Sequence, residues 1–286
     1  MIIALAGYNG FVGSGIQKYF NNHQFILISR DDLYGSPALL SEKITGCDVV
    51  MNFAGYPISR RWTAKRKKLI KNSRITTTRN LVEAVHLLKR KPKIFINASA
   101  IGIYNVDEEH TEKSTSYGNG FMAGIVNKWE EEVKKLDENI PAVIVRLGIV
   151  LGNDGGAFTR LKKLFQLGLG GIIAGGKQVY SFIHIDDVLQ AMDFLIQNKS
   201  HGIYNFTAPK PVSNKIFTKI LAKYSGKPAL LPVPGFVLRI GMGEASEIIT
   251  KGQTVYPKRL LDEGYKFTFA TLEDAIVNLL NSGESH

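Results

Sequence analysis

The run Ile2-Ile3-Ala4-Leu5-Ala6-Gly7-Tyr8-Asn9-Gly10-Phe11-Val12-Gly13 decides the fold. Its first five residues are apolar and read as a short buried strand, and residues 11–20 have helical periodicity. Between them the glycines fall as G-x-x-G-x-x-G, after the strand and opening the helix, where a phosphate-binding turn has to sit. Gly7 permits the tight turn, Gly10 lets main chain approach a pyrophosphate, and Gly13 lets the helix pack close to the strand. Tyr8, Asn9, Phe11 and Val12 fill out the candidate cofactor loop. The start of the helix then supplies oriented N–H groups and a partial positive charge for the phosphates.

Outward from this turn, strand-like and helix-like segments alternate. Apolar runs at residues 25–29, 48–54, 93–98 and 142–147 read as strands. Residues 63–88 and 120–136 read as helices. Continuous apolar strands separated by helices imply a parallel sheet covered on both faces. The expected fold class is therefore α/β, a Rossmann-type doubly wound parallel sheet with a smaller C-terminal lobe. Ligands of such a sheet bind at the carboxyl ends of its strands. Residues 1–155 are assigned to the dinucleotide-binding domain, with strands from about 178–210 completing the sheet. Residues 156–286 form mainly the substrate-side lobe, where helical segments at 161–167 and 186–197 give way to short helices punctuated by Pro211, Pro228, Pro232, Pro234 and Pro257.

The end of the second strand selects the cofactor. An acidic residue there would hold a ribose 2′-hydroxyl. The chain has Ser29-Arg30 instead, and a guanidinium with a hydroxyl beside it suits a 2′-phosphate. The expected cofactor is NADP(H). Asp31 is the competing observation, since a small shift in register would make it a ribose ligand. Asn52-Phe53-Ala54-Gly55 closes the third strand with small residues that let main chain approach a ribose or adenine.

Composition narrows the rest. The chain has 286 residues, 44% of them hydrophobic, which is enough for a large core. Its one cysteine, Cys47, excludes an intramolecular disulfide and argues against a Cys-based zinc site. The histidines lack metal-ligand spacing, so no metal is expected. The apolar start lacks the charged flank of a signal peptide, and no apolar run of ~18 residues occurs. A soluble cytoplasmic protein with no membrane partner is expected. The net charge of +11 is densest over residues 60–74, with Arg60, Arg61, Lys65, Arg66, Lys67, Lys68, Lys71 and Arg74. That segment reads as a solvated helix face, or as a phosphate-facing surface near the cofactor. No nucleic-acid motif accompanies the charge, so nucleic acid is not the expected partner.

Taken together, these residues resemble the extended short-chain dehydrogenases/reductases. More closely, the chain is similar to their atypical, epimerase-like branch, whose members are often named nucleoside-diphosphate-sugar epimerases. The motifs that carry this run in order along nearly the whole chain: G-Y-N-G-F-V-G at 7–13, N-F-A-G at 52–55, R-R-W-T at 60–63, S-R at 73–74, A-S-A-I-G-I-Y at 98–104, R-L-G-I-V-L-G at 146–152, L-G-L-G-G at 167–171, S-F-I-H-I-D-D at 181–187, N-F-T-A-P at 205–209, L-P-V-P at 231–234 and G-Q-T-V-Y-P-K-R-L at 252–260. The resemblance implies Ser29 and Arg30 at the 2′-phosphate, Phe53 and Ala54 against the ribose, and Arg74 near the cofactor. It also implies a small-molecule substrate, with a sugar nucleotide as one candidate, and leaves the oligomeric state open.

Typical members of that superfamily use a tyrosine with a lysine four residues on, and a serine that polarises the substrate oxygen. None of the eleven tyrosines here has that lysine. By register, Phe121 and Ile125 stand in the two places, and neither can move a proton or hold a ribose hydroxyl. Ser99 remains, at the carboxyl edge of the fourth strand, as the candidate polarising hydroxyl. Tyr104, five residues on, is the candidate substitute acid, with Tyr117 behind it. Trp62 is a candidate wall of the substrate pocket. His184 with Asp186 or Asp187 reads as a helix start and lobe hinge. Two functions follow: an NADP(H)-dependent oxidoreductase or epimerase, or a non-catalytic NADP(H)-binding sensor. A basic adaptor for RNA or membrane is a third.

Overall fold

In the computed structural model, which describes residues 1–229 and 231–281, the apolar runs become six parallel strands. These are β1 (Ile2–Ala6), β2 (Gln24–Ile28), β3 (Val49–Asn52), β4 (Ile94–Ala100), β5 (Ala142–Leu147) and β6 (Gly202–Phe206). They stand in the order β6-β5-β4-β3-β1-β2. Side chains alternate between the two faces of a strand, and the sequence uses both faces. Ile3, Leu5, Val49, Met51, Ile94, Ile96, Val143 and Val145 form one core. Helices α1 (Phe11–Tyr19) and, later, Ile185–Gln197 cover it through Ile16, Val188, Leu189, Met192 and Leu195. Ala4, Ala6, Val50, Phe95 and Ile144 form the opposite core. It is closed by α2 (Arg30–Tyr34), α3 (Pro37–Lys43), a long helix ending at Leu87 and α-helical residues up to Val133. Cys47 is buried there, and burial pushes its thiol up to about 11, which leaves it inert.

The continuous helix expected over residues 63–88 is two helices, α4 (Ala64–Asn72) and α5 (Ile75–Leu87). Ser73 makes the break: its hydroxyl donates to the Ile70 carbonyl at 3.1 Å and accepts the Tyr56 N–H at 2.8 Å. The next helices are α6 (Phe121–Val133), α7 (Phe158–Gln166), α8 (Ile185–Gln197) and α9 (Asn214–Ser225). Within residues 178–210, only β6 joins the main sheet. Val179–Tyr180 pairs with Val212–Ser213, and Phe182–His184 pairs with Ile149–Leu151.

The C-terminal region has its own core of Phe158, Phe165, Tyr180, Phe182, Phe217, Leu272 and Ile276. Two devices tie it to the sheet. Thr254–Val255 pairs in parallel with Glu109–His110 in the loop after β4. The buried Asp187 carboxylate, on α8, accepts main-chain N–H groups from Thr268 and Phe269 at 2.8 and 2.9 Å and the Tyr265 hydroxyl at 3.1 Å. His184 caps α8, its Nδ1 accepting the Asp186 N–H at 3.1 Å.

Candidate functional site

The turn after β1 can be made only by glycine at two of its three glycines. Gly7 has φ +82°, and a Cβ there would lie 2.4 Å from the main-chain carbon of Phe53. A Cβ on Gly13 would lie 2.1 Å from the Gly7 carbonyl oxygen. Gly10 is looser, with 3.1 Å to the same oxygen. Gly10 also caps α1 and has no side chain to offer, so the first-turn N–H groups lack an intrahelical or side-chain acceptor. Gly10, Phe11, Val12 and Gly13 line a cavity of about 640 Å³ at the carboxyl edge of the sheet. Phe53, Ala54, Gly55 and Arg74 line it beside them. Gly7 supports this wall from beneath. Tyr8, Asn9, Ser29 and Arg30 lie outside the lining. The Phe11 ring packs on Gly152, Gly155 and Gly156, where any Cβ would meet it within 3.1 Å.

At the end of β2, Ser29 caps α2. Its hydroxyl accepts the Asp32 N–H at 3.1 Å, while the Asp32 carboxylate accepts the Ser29 N–H at 2.6 Å and pairs with Lys43 at 2.5 Å. Asp32 is thus absorbed in its own helix. Arg30 is exposed and forms no ion pair among the described residues; Asp31 is exposed beside it.

The end of β3 is fixed by a buried amide. Asn52 donates to Asn97 Oδ1 at 2.7 Å and to Thr78 Oγ1 at 2.8 Å, and Trp129 Nε1 donates to the same threonine at 2.8 Å. The Ser73 break in the helix delivers Arg74 to this wall. Its guanidinium donates to the Tyr56 and Ile70 carbonyls, both at 3.2 Å, and lies 5.4 Å from the Trp129 ring centre. It has no carboxylate partner among the described residues. Burial brings it down to about 10.

Strand register sets the next cluster. Ser99, Arg146 and Asn205 stand abreast on β4, β5 and β6. Arg146 is fully buried, and so is Glu130 reaching in from α6. Nε and Nη2 of Arg146 donate to the two Glu130 oxygens at 2.8 and 2.7 Å. Ser99 lines the cavity and donates to Glu130 Oε1 at 2.5 Å. Tyr104 accepts from Arg146 Nη1 at 2.7 Å and donates to Asn205 Oδ1 at 2.9 Å, with the Thr111 carbonyl at 3.1 Å. Burial raises its phenol above the ordinary range despite the adjacent guanidinium. Tyr117, half out in solvent, accepts from Arg146 Nη2 at 3.3 Å. Ser99 and Tyr104 are therefore joined through one ion pair whose members, Glu130 and Arg146, sequence reasoning missed. A charge inside the apolar run 142–147 was the available signal, because a buried charge needs a partner.

At the start of α6, Phe121 packs at a tilt of 54° against Trp62, ring centres 5.1 Å apart, with the Lys67 ammonium 5.0 Å from its ring centre, and Ile125 is buried beside them. Trp62 lines the cavity. The basic segment reaches across to the C-terminal region. Arg61 donates to the Ile240 carbonyl at 3.1 Å and Lys67 pairs with Glu244 at 2.7 Å. Among the described residues, no group of three or more metal-ligating side chains is assembled, and no helix is long and apolar enough to cross a membrane.

Comparison with known proteins bears on this geometry. Residues 3–206 match the profile of the NAD dependent epimerase/dehydratase family, and residues 233–279 match a domain of unknown function, DUF1731. The epimerase family protein YfhF of Bacillus subtilis is 34% identical over 299 residues, 98% of each chain. The mouse epimerase family protein SDR39U1 is 32% identical, covering 98% of this chain and all of its own. The crystal structure of human SDR39U1 with NADPH superposes with a TM-score of 0.91 at 29% identity, covering 98% of this chain and 99% of that one. The glycine turn, the six-stranded parallel sheet and these matches agree, and the chain belongs to the NAD dependent epimerase/dehydratase family.

Proposed function

We propose that this protein is a cytoplasmic NADP(H)-dependent oxidoreductase or epimerase acting at a carbinol or carbonyl carbon of a small molecule. The observation that carries the reading is the glycine turn. Its Gly7 and Gly13 leave no room for a Cβ, and its uncapped helix start opens onto the cavity. Main-chain N–H groups of residues 11–13 would hold the pyrophosphate, the Gly10 N–H being spent on the Gly7 carbonyl at 2.9 Å. Phe53, Ala54 and Gly55 form the ribose wall, with Arg74 as the nearby unpaired cation. Arg30, free of ion pairs, would take the 2′-phosphate, with Ser29 beside it. Tyr8 and Asn9 shape the turn. Human SDR39U1, so similar in structure, was crystallised with NADPH.

A bound nicotinamide supplies hydride acceptance and donation. The chain's own part is to place the substrate oxygen at Ser99 and to keep Ser99 oriented through Glu130 and Arg146. Tyr104 already holds Arg146, so we assign it to positioning and route the substrate proton to water. The family's named sugar epimerases make a sugar nucleotide one candidate substrate. The second reading, a cofactor sensor, is favoured by one observation. The chain has no tyrosine–lysine pair, and apolar Phe121 and Ile125 occupy the start of α6.

Incubation with NADPH and a panel of small ketones and aldehydes, followed by nicotinamide absorbance, separates the two. Turnover that Ser99→Ala reduces supports the enzyme. Saturable NADPH binding without turnover supports the sensor. An epimerase is read by product analysis, because it consumes no net cofactor. For cofactor choice, Arg30→Ala should weaken NADPH by roughly 10- to 100-fold, the value of hydrogen bonds to a charged group, with little effect on NADH. An equal loss for both would remove Arg30 from the 2′-phosphate.

A further inference from the structure

We infer that the substrate end of the cavity takes an uncharged, largely apolar alcohol, whose O–H donates to Ser99, rather than a nucleotide sugar. This rests on the reading above only in assuming that the dinucleotide occupies the glycine-turn end.

The first observation is the wall. Tyr56, Ile58, Trp62, Phe121 and Met122 form one apolar cluster and all line the cavity; Ile248 faces them from the C-terminal region. Such a surface gains by excluding water from an apolar ligand.

The second is charge. The chain as a whole is strongly basic, but the cavity is not. Among the described lining residues there are two cations, Arg74 and Lys251, and three carboxylates, Asp107, Glu244 and Glu247. Lys251 is paired with Glu247 at 3.2 Å. Arg74 lies against Gly55, where a Cβ would meet its guanidinium at 3.2 Å, on the dinucleotide side. With Glu244 paired to Lys67 at 2.7 Å, no unpaired cation of the lining is left for a second diphosphate, and Asp107 would repel one.

The third is the polarity of Ser99. A serine hydroxyl has one proton, and Ser99 gives its proton to Glu130 at 2.5 Å. Arg146 donates to both oxygens of that carboxyl group, so Ser99 is the donor in its bond to Glu130. Ser99 therefore turns lone pairs, not a proton, toward a ligand. A hydroxyl can satisfy them; a ketone oxygen, itself an acceptor, cannot.

The test measures binding in the cofactor-free protein by saturation-transfer NMR and calorimetry. Benzhydrol and cyclohexanol are compared with benzophenone and cyclohexanone, and UDP-glucose is added as competitor. The alcohols should bind roughly 10-fold tighter than the matched ketones, the worth of one hydrogen bond made or lost, and UDP-glucose should displace neither. Ser99→Ala should abolish the alcohol–ketone difference while leaving ketone binding in place. Met122→Glu, which charges the wall without touching the Ser99 network, should weaken both alcohols. Failure of both alcohols to bind, tighter ketones, or displacement by UDP-glucose overturns the inference. A parallel NADPH titration keeps the two claims apart. Alcohols that bind a protein blind to NADPH would sink the cofactor reading and leave this one standing.

Discussion

Glu130→Ala should lower stability by about 3–5 kcal/mol, the cost of removing one partner from a buried ion pair. Arg146 and Glu130 are 0% and 2% exposed, 2.7 Å apart, in the middle of a parallel sheet and its covering helix. Without Glu130, the guanidinium keeps its charge, because arginine does not deprotonate in proteins. It then sits between the Tyr104 and Tyr117 rings without a counter-ion. A domain whose net stability is about 5–15 kcal/mol would lose a large part of it. Arg146→Met together with Glu130→Leu should cost much less, since no uncompensated charge remains. Urea unfolding of the three proteins checks this. A single-mutant loss below about 1 kcal/mol, the level of an exposed pair, would contradict the buried-pair account.

Gly13→Ala should damage cofactor binding far more than the same change at Gly10. The new Cβ would lie 2.1 Å from the Gly7 carbonyl oxygen and 2.8 Å from its carbon. Both are main-chain atoms that cannot rotate aside. Either α1 moves off the strand or the turn opens, at a strain of roughly 1–3 kcal/mol. In a protein that stays folded by circular dichroism, that strain should appear as roughly 10- to 100-fold weaker NADPH binding. Gly10→Ala, with 3.1 Å to the same oxygen, should be milder. Equal affinity in Gly13→Ala and the unaltered protein would detach the turn from the ligand.

The sheet was legible because each of its strands is dominated by apolar residues and bounded by turns or charges. Residues 142–147 are a strand with the bounds that the pattern predicts. The break at Ser73-Arg74 was not legible, because helical periodicity continues through it. It depends on a serine meeting the Tyr56 N–H, seventeen residues back. The two-residue pairings, such as Thr254–Val255 with Glu109–His110, are too short to show any period. Within the site, the glycine turn could be read locally, since backbone sterics act over a few residues. The orientation of Ser99 could not: it is set by Glu130 on a helix and Arg146 on the neighbouring strand, and only strand register brings the three together.

The basic segment shows the same limit. Its charges suggest a solvated face or a phosphate surface. The structure divides them among three situations. Arg61 and Lys67 fasten the C-terminal region over the cavity, Arg74 enters the cavity wall, and Lys65 and Lys68 have no ion pair among the described residues. One-dimensional charge density does not distinguish these, because the partners Ile240 and Glu244 lie far along the chain.

The central claim is that the cavity edge formed by residues 10–13 grips a phosphorylated nicotinamide dinucleotide. Calorimetric titration of the purified, folded protein with NADPH and then with NADH addresses it without needing a substrate. Saturable binding of NADPH at one site per chain, tighter than that of NADH, is the predicted result. No measurable binding of either dinucleotide would contradict the account.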